Sequence, residues 1–320
     1  LGSASGDAIT SGVQNTAVGH NSLTSTDDGH YNVAVGVSAL QANCADNNVA
    51  VGKAALYEFT GSDATAIGYQ AADAATSAID LVAVGKNALT ACTDGNYNTA
   101  VGVEACGYNV SASRNSAFGR HSMLQNVSGD DNTTMGYNSG YSLTNSDNVA
   151  VGSMAMRTGT TQDHCVAIGR SAMEGDGSTA PTGNFNIAVG SFSGTALTTG
   201  AENILLGHES GKSFTNNAGN IVIGTKAMDA ANLSEHYNIA IGTDALGAET
   251  TGADYCIAIG YQALLLQNAD VRNLAIGGLA GDALVGGHGN VLVGHEAGTD
   301  LTSHNNTTCV GYLAGKGATS

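Results

Sequence analysis

The chain has one proline, Pro181, no tryptophan, and few aromatic or charged residues, at 5 % and 12 % of its 320 residues. Large aromatic side chains dominate the energetics of thick protein cores, so their scarcity argues against a globular domain of ordinary type. Hydrophobic residues make up 42 % of the chain, and many of them are alanine and valine. Small and β-branched side chains suit a thin, tightly stacked β-structure.

Basic residues are also scarce, with 10 lysines and arginines against 27 acidic residues and a net charge of −17. A nucleic-acid-binding protein needs a basic surface, so this class is excluded. No stretch of sequence is long and apolar enough to predict a membrane span. An acidic surface of this kind keeps an elongated particle soluble.

Residues that could carry catalysis or bind metal occur singly. The six cysteines form no CxxC pair, and the nine histidines form no HxH or HExxH motif. Without such spacings the cysteines are predicted to be small apolar core residues. No catalytic residue, cofactor or metal site is predicted, and the chain is expected not to be an enzyme.

A short repeat dominates the sequence. Variants of Asn-Val-Ala-Val-Gly recur at a nearly even spacing of about 17 residues, and such a period predicts a solenoid in which each repeat forms one coil. A single longer step, of 21, lies between Gly169 and Gly190. The repeat glycines stand at 19, 36, 52, 68, 85, 102, 119, 136, 152, 169, 190, 207, 224, 242, 260, 277, 294 and 311.

The residues before each glycine predict a short β-strand, which the glycine ends where φ is positive or another backbone comes close. The positions one and three before the glycine, here called the outer columns, hold mostly β-branched residues, whereas the position between them, the alanine column, is usually alanine. Side chains alternate along a strand, so the outer columns share one face, which we expect to point into the coil. The predicted core residues are Val18, Val35, Val51, Ile67, Val84, Val101, Ile168, Val189, Ile223, Ile241, Ile259, Ile276 and Val293.

The alanine column is then expected to face outwards as a flat stripe. It runs through Ala17, Ala34 and Ala50 and holds the larger Leu205 and Leu292 further along. Soluble monomers seldom expose such a stripe, so the pattern predicts that it is covered by further copies of the chain.

The position four before the glycine is mostly asparagine, and stacked coils would place these side chains in hydrogen-bonding range of one another. Glycosylation at six N-x-S/T sequons, at residues 109, 126, 132, 232, 305 and 306, is the alternative function for some asparagines. The predicted ladder comprises Asn15, Asn32, Asn48, Asn98, Asn115, Asn132, Asn148, Asn186, Asn203, Asn220, Asn238, Asn273 and Asn290.

The segment after each glycine carries alanine or serine three residues on and usually leucine, methionine or glycine one residue later. It is predicted to re-enter the core as a second short strand. A helix is disfavoured because glycine, asparagine and threonine interrupt every repeat.

The column directly after the glycine is expected to be exposed, and it includes His20, His208 and His295. Neighbouring coils would stack cations on rings in this column. This column is expected to be either a solvated face or a sugar-binding strip. Its members include Lys53, Tyr69, Lys86, Arg120 and Tyr137.

Residues 48–56 and 238–246 resemble the head repeats of YadA-like trimeric autotransporter adhesins and, more closely, the repeat arrays of bacteriophage tail fibres. The resemblance covers essentially the whole chain. It implies a left-handed parallel β-roll with three chains around a threefold axis. The period of about 17 residues exceeds that of the compact adhesin coil and favours the phage type.

We therefore expect an all-β, parallel β-solenoid of about 18 coils, with residues 1–320 as one continuous array within a longer fibre protein. The expected assembly is a parallel homotrimer that forms the shaft of an extracellular phage tail fibre or appendage. The alternatives are the passenger of a surface adhesin or the subunit of an extracellular filament. The chain itself is the expected partner, and receptor contacts are expected outside it. The surplus residues of the 21-residue repeat, within 175–182, are expected to bulge outwards and leave the strands in register.

Overall fold

A computed structural model describes residues 2–159, 161–175, 181–231, 234–248, 252–268 and 272–317. Each repeat contributes one strand of three residues that ends directly before its glycine, and the described part of the chain contains no helix. The strands are β1 Thr16–Val18, β2 Val33–Val35, β3 Val49–Val51, β4 Thr65–Ile67, β5 Val82–Val84, β6 Thr99–Val101, β7 Ser116–Phe118, β8 Thr133–Met135, β9 Val149–Val151, β10 Val166–Ile168, β11 Ile187–Val189, β12 Ile204–Leu206, β13 Ile221–Ile223, β14 Ile239–Ile241, β15 Ile257–Ile259, β16 Leu274–Ile276, β17 Val291–Val293 and β18 Thr308–Val310.

The chain forms two compact units, Leu1–Met154 with β1 to β9 and Ala155–Ser320 with β10 to β18. Within each unit, successive strands pair in parallel, and equivalent residues of neighbouring repeats lie opposite one another. Ala34 faces Ala50, for example, and Ala240 faces Ala258. Each unit is therefore a parallel β-solenoid with a period of about 17 residues, which confirms that part of the sequence prediction. A single continuous array over 1–320 stays a prediction.

The predicted alternation of the strand side chains is correct, but the predicted faces are reversed. The alanine column is buried, with Ala34, Ala50 and Ala240 at 0 % exposure. The outer columns lie on the outside of the coil: Val18 is 40 % exposed, Ile67 is 41 % exposed, and most others are half-buried. The thirteen valines and isoleucines predicted as core residues therefore do not line the interior of the coil.

The reversal follows from the thinness of the coil. The buried alanine column faces the segment after the glycine, where Ala39 and Leu40, for example, are both buried. Interiors are packed to crystal-like density, so a narrow interior accepts a small residue opposite a leucine more readily than a valine. Leu205 and Leu292 of the alanine column, which was expected to face outwards, are likewise fully buried, as is Val222 in the same column.

The repeat glycine is required both by its backbone angle and by the closeness of the next coil. Its φ lies between +127° and +143° in every repeat, a region that side chains with a β-carbon rarely adopt. At Gly52 an added β-carbon would also overlap the backbone carbonyl of Gly68 in the next coil. The positive φ and the close approach of another backbone, which the sequence pattern gave as alternative reasons for the glycine, are therefore both present.

The segment after the glycine enters the core, as predicted, but it is a turn and not a second strand. The second and fourth residues after each glycine have positive φ, as in Ser38 at 57° and Leu40 at 45°. Their amides still bond to neighbouring coils: Ser38 N–H donates to His20 O at 2.8 Å, and Leu40 N–H donates to Ala55 O at 3.0 Å. Inter-coil hydrogen bonds thus continue outside the strands.

The 21-residue repeat keeps its strands aligned. β10 and β11 pair with Val166 opposite Ile187, Ala167 opposite Ala188 and Ile168 opposite Val189. The surplus residues thus leave the flanking strands in register, as predicted. Most of the expected outward loop, residues 176–180, lies outside the described residues.

Candidate assembly surface

The two outer columns form an apolar surface along the strands of each unit, and we call it the outer stripe. It consists of the residues one and three before each repeat glycine. Its most exposed members in the first unit include Val18, Ile67 and Met135, the last at 49 %. In the second unit the stripe is richer in isoleucine and leucine, from Ile187 to Ile276. Contiguous exposed apolar surface of this extent is typical of an interaction surface.

The outer stripe carries no charge. Every residue in its two columns is valine, isoleucine, leucine, methionine, phenylalanine, threonine or serine, in a chain whose net charge is −17. Elsewhere on the surface, some charged groups form ion pairs. Arg114 donates to Asp131 at 2.7 and 2.8 Å, and this hydrogen bond lowers the pKa of the Asp131 carboxyl. Since like charges repel, an uncharged stripe is the surface on which two such acidic chains can approach.

Polar and aromatic residues border the outer stripe on both sides. Directly after the glycine, the Lys53 ammonium lies 5.8 Å from the ring centre of Tyr69 in the next coil, a cation–π contact expected from the sequence. Five residues before the glycine, the rings of Tyr237 and Tyr255 stack at 5.3 Å. Rings in these border columns lie against their neighbours along the stack. The three histidines that directly follow repeat glycines are exposed, as predicted: His20, His208 and His295.

The asparagine ladder is confirmed in both units. The Asn48 backbone N–H donates to the Asn32 side-chain oxygen at 2.8 Å, and the Asn32 amide group donates to Ala45 O at 2.8 Å. In the second unit, Asn203 N–H donates to the Asn186 side-chain oxygen at 3.0 Å. Every ladder member except the half-buried Asn15 is buried. Each asparagine thus satisfies backbone groups that would otherwise be buried without partners.

Burial also bears on the glycosylation alternative. Asn109, Asn126 and Asn132 are 0 % exposed, so their side chains are not accessible in the folded chain. Asn305 and Asn306 are exposed, and Asn232 lies outside the described residues. Three of the six sequons are therefore interior residues of the coil.

All six cysteines are buried and none forms a disulfide bond. Burial raises the pKa of Cys92 to about 11 and that of Cys106 to about 12. These thiols are thus protonated and unreactive near neutral pH, which agrees with the prediction that the cysteines are core residues. Among the described residues, no three histidine, cysteine, aspartate or glutamate side chains come close enough to hold a metal ion.

No helix in the described ranges could cross a membrane. No family model, curated protein or solved structure matches the chain.

Proposed function

We propose that the chain is a structural fibre protein, and that three copies pack in parallel through their outer stripes as the shaft of a phage tail fibre or appendage. The shaft would hold a receptor-binding tip away from the virion and would have no catalytic site. The observation that carries this proposal is the uncharged, apolar outer stripe on an otherwise acidic chain.

Further copies of the same chain are the partner that fits the stripe best. Equivalent residues stand opposite one another along successive strands, as Val35 does to Val51, so the stripe repeats at the strand spacing of about 4.8 Å. A parallel copy repeats at the same spacing and can meet it coil by coil. A partner of any other fold would match this period over only a few coils.

The threefold arrangement and the left-handed turn of the coil come from the resemblance to the adhesin and tail-fibre repeats. The interface proposed here differs from the one expected from the sequence, because valine and isoleucine of the outer stripe replace the alanine column as the contact surface. A coil stiffened by the Asn32–Asn48 type of ladder suits a spacer that transmits force.

Electron cryo-microscopy of the purified chain tests the arrangement. We expect three left-handed coils around a threefold axis in each unit, with Val101 facing the axis of the first unit and Ile241 facing that of the second. Coils that pack through any other face, or through two copies only, would contradict the proposal.

Gold-labelled antibodies against the chain test its place in the fibre. Decoration of the appendages of a phage particle is the expected result. Decoration of a bacterial outer surface would instead support the adhesin alternative, and decoration of free filaments would support an extracellular filament.

A further inference from the structure

We infer that the first unit also carries a binding groove for a neutral glycan chain, centred on Tyr57. The groove lies on the turn segment after the repeat glycine, on columns that contribute nothing to the outer stripe. This inference does not depend on how many copies of the chain assemble.

The groove begins as two adjoining hollows that share Tyr57 and Glu58. The larger hollow, of about 390 Å³, is lined by these two residues with Gln70, Asp73 and two alanines. The second, of about 200 Å³, lies on their other side and is lined partly by Gln41. Both hollows are open to solvent, so a ligand would lie along the surface of the coil.

The side chains of the larger hollow suit the recognition of a sugar. The Tyr57 ring, 38 % exposed, offers an apolar surface with a polar hydroxyl, against which the C–H face of a sugar ring can pack. Asp73 is held in place by two hydrogen bonds, from Gln70 Nε2 at 2.9 Å and from Thr90 Oγ1 at 2.6 Å. A fixed carboxylate can accept hydrogen bonds from sugar hydroxyls without losing further side-chain freedom.

The charge of the groove selects against acidic sugars. Neither Glu58 nor Asp73 forms an ion pair with a basic side chain in the described parts of the chain. In the second unit, by contrast, the columns of Gln70 and Asp73 hold an ion pair, with Lys212 Nζ at 2.9 Å from Glu209 Oε1. Two carboxylates without a basic partner repel uronic and sialic acids, so among glycans a neutral one fits the groove best.

A separate hollow further along the stack could hold the far end of a ligand longer than one sugar. A third hollow, of about 130 Å³, is lined by Asn87, Glu104 and Tyr108 among others. The Asn87 side-chain oxygen there is buried and accepts no hydrogen bond from the described residues. Tyr57 and Tyr108 lie three coils apart, or about 14 Å at the usual strand spacing. An extended oligosaccharide could reach both.

Ligand-observed NMR on the intact chain tests the inference, with tetrasaccharides of glucose, galactose and N-acetylglucosamine as probes. We expect at least one to bind, and a sialylated tetrasaccharide and tetralysine not to bind. Tyr57→Ala should weaken binding about tenfold or more, and a tenfold change corresponds to a loss of about 1.4 kcal/mol in binding free energy. Glu58→Gln, which keeps the side-chain shape, should weaken it in the same direction.

Tyr261→Ala is the matched control, because Tyr261 is 54 % exposed and lies outside the groove. It should leave binding unchanged, and circular dichroism should show all variants folded. The inference is overturned if no neutral probe binds, if binding survives both Tyr57→Ala and Glu58→Gln, or if tetralysine binds the groove instead.

Discussion

Because Gly211 has no side chain, it leaves room for the side chain of Leu205. A β-carbon at Gly211 would lie 3.0 Å from Leu205 Cδ2, and one at Gly194 in the preceding coil would lie 2.8 Å from Leu205 Cδ1. Leu205 is fully buried in the alanine column, where most repeats carry alanine. The large Leu205 is thus accommodated by glycine four residues after the repeat glycine, in its own coil and in the preceding one.

A double-mutant cycle tests this relationship. Gly211→Ala should lower the free energy of unfolding by about 1–3 kcal/mol through overpacking. Leu205→Ala should lower it by about 2–5 kcal/mol by leaving a cavity. The double variant should lose clearly less than the sum of the two, since alanine at position 205 removes the side chain against which an alanine at position 211 would clash. Additive losses, measured by denaturant unfolding, would show that the two residues do not share this space.

The asparagine ladder predicts a large difference between two nearby asparagines. Asn48 accepts a hydrogen bond from Ala64 N–H at 3.0 Å and donates one to Gly61 O at 3.1 Å, both in the next coil. Asn48→Ala leaves the buried Ala64 N–H without a partner, whereas Gly61 O still accepts a hydrogen bond from Ala45 N–H, and the substitution should cost about 1–3 kcal/mol of unfolding free energy. Asn43→Ala is the control, because Asn43 is exposed, and it should cost much less. If Asn48→Ala and Asn43→Ala lowered the stability equally in thermal unfolding, this would argue against a stabilising role of the ladder.

The repeat and the ladder could be predicted from the sequence because both depend on residue spacing. The face of the strand could not be predicted in the same way, since both of its faces are apolar. One signal did exist. In four of the five repeats whose alanine column does not hold alanine, the residue four after the repeat glycine is glycine: these are the repeats of Thr134, Leu205, Leu292 and Cys309, whereas that of Val222 carries Met228. This partial compensation favours an alanine column inside the coil.

The turn after the glycine escaped prediction for a different reason. Its second and fourth residues adopt positive φ with ordinary side chains such as Leu56 and Met123, a conformation in which glycine or asparagine is expected. Hydrogen bonds to the neighbouring coils stabilise this backbone, and they exist only once the coils are stacked. The groove around Tyr57 likewise depends on which side chains the turns bring together.

The inward position of the alanine column predicts different effects of leucine at two adjacent residues. Ala50→Leu places extra volume in a filled interior and should destabilise the chain by about 1–3 kcal/mol. Val51→Leu lies on the outer stripe, where Leu206 already occurs in the equivalent position, and should destabilise the chain less than Ala50→Leu does. Thermal unfolding of both variants decides the point. A larger loss of stability for Val51→Leu than for Ala50→Leu would instead support the orientation predicted from the sequence, with the outer columns inside the coil.

The burial of the Cys106 thiol predicts weaker folding at alkaline pH. The unfolded chain releases the Cys106 proton near the ordinary thiol pKa of 9.0, whereas burial raises the pKa in the folded chain to about 12. The contribution to stability is therefore complete below pH 9 and is lost as the pH rises towards 12. Cys106→Ala, which places there the residue found at Ala72 in the same column, should reduce this dependence. If the melting temperature of Cys106→Ala fell with rising pH as steeply as that of the wild-type chain, the prediction would be contradicted.

Native mass measurement tests the central claim, that the outer stripe joins three copies of the chain. The wild-type chain should appear at three times its mass of 31.8 kDa. A variant with Ile241→Asp and Ile259→Asp, which places charge on the stripe, should dissociate to smaller species. A wild-type chain that is folded and stable as a monomer at micromolar concentration would contradict the account.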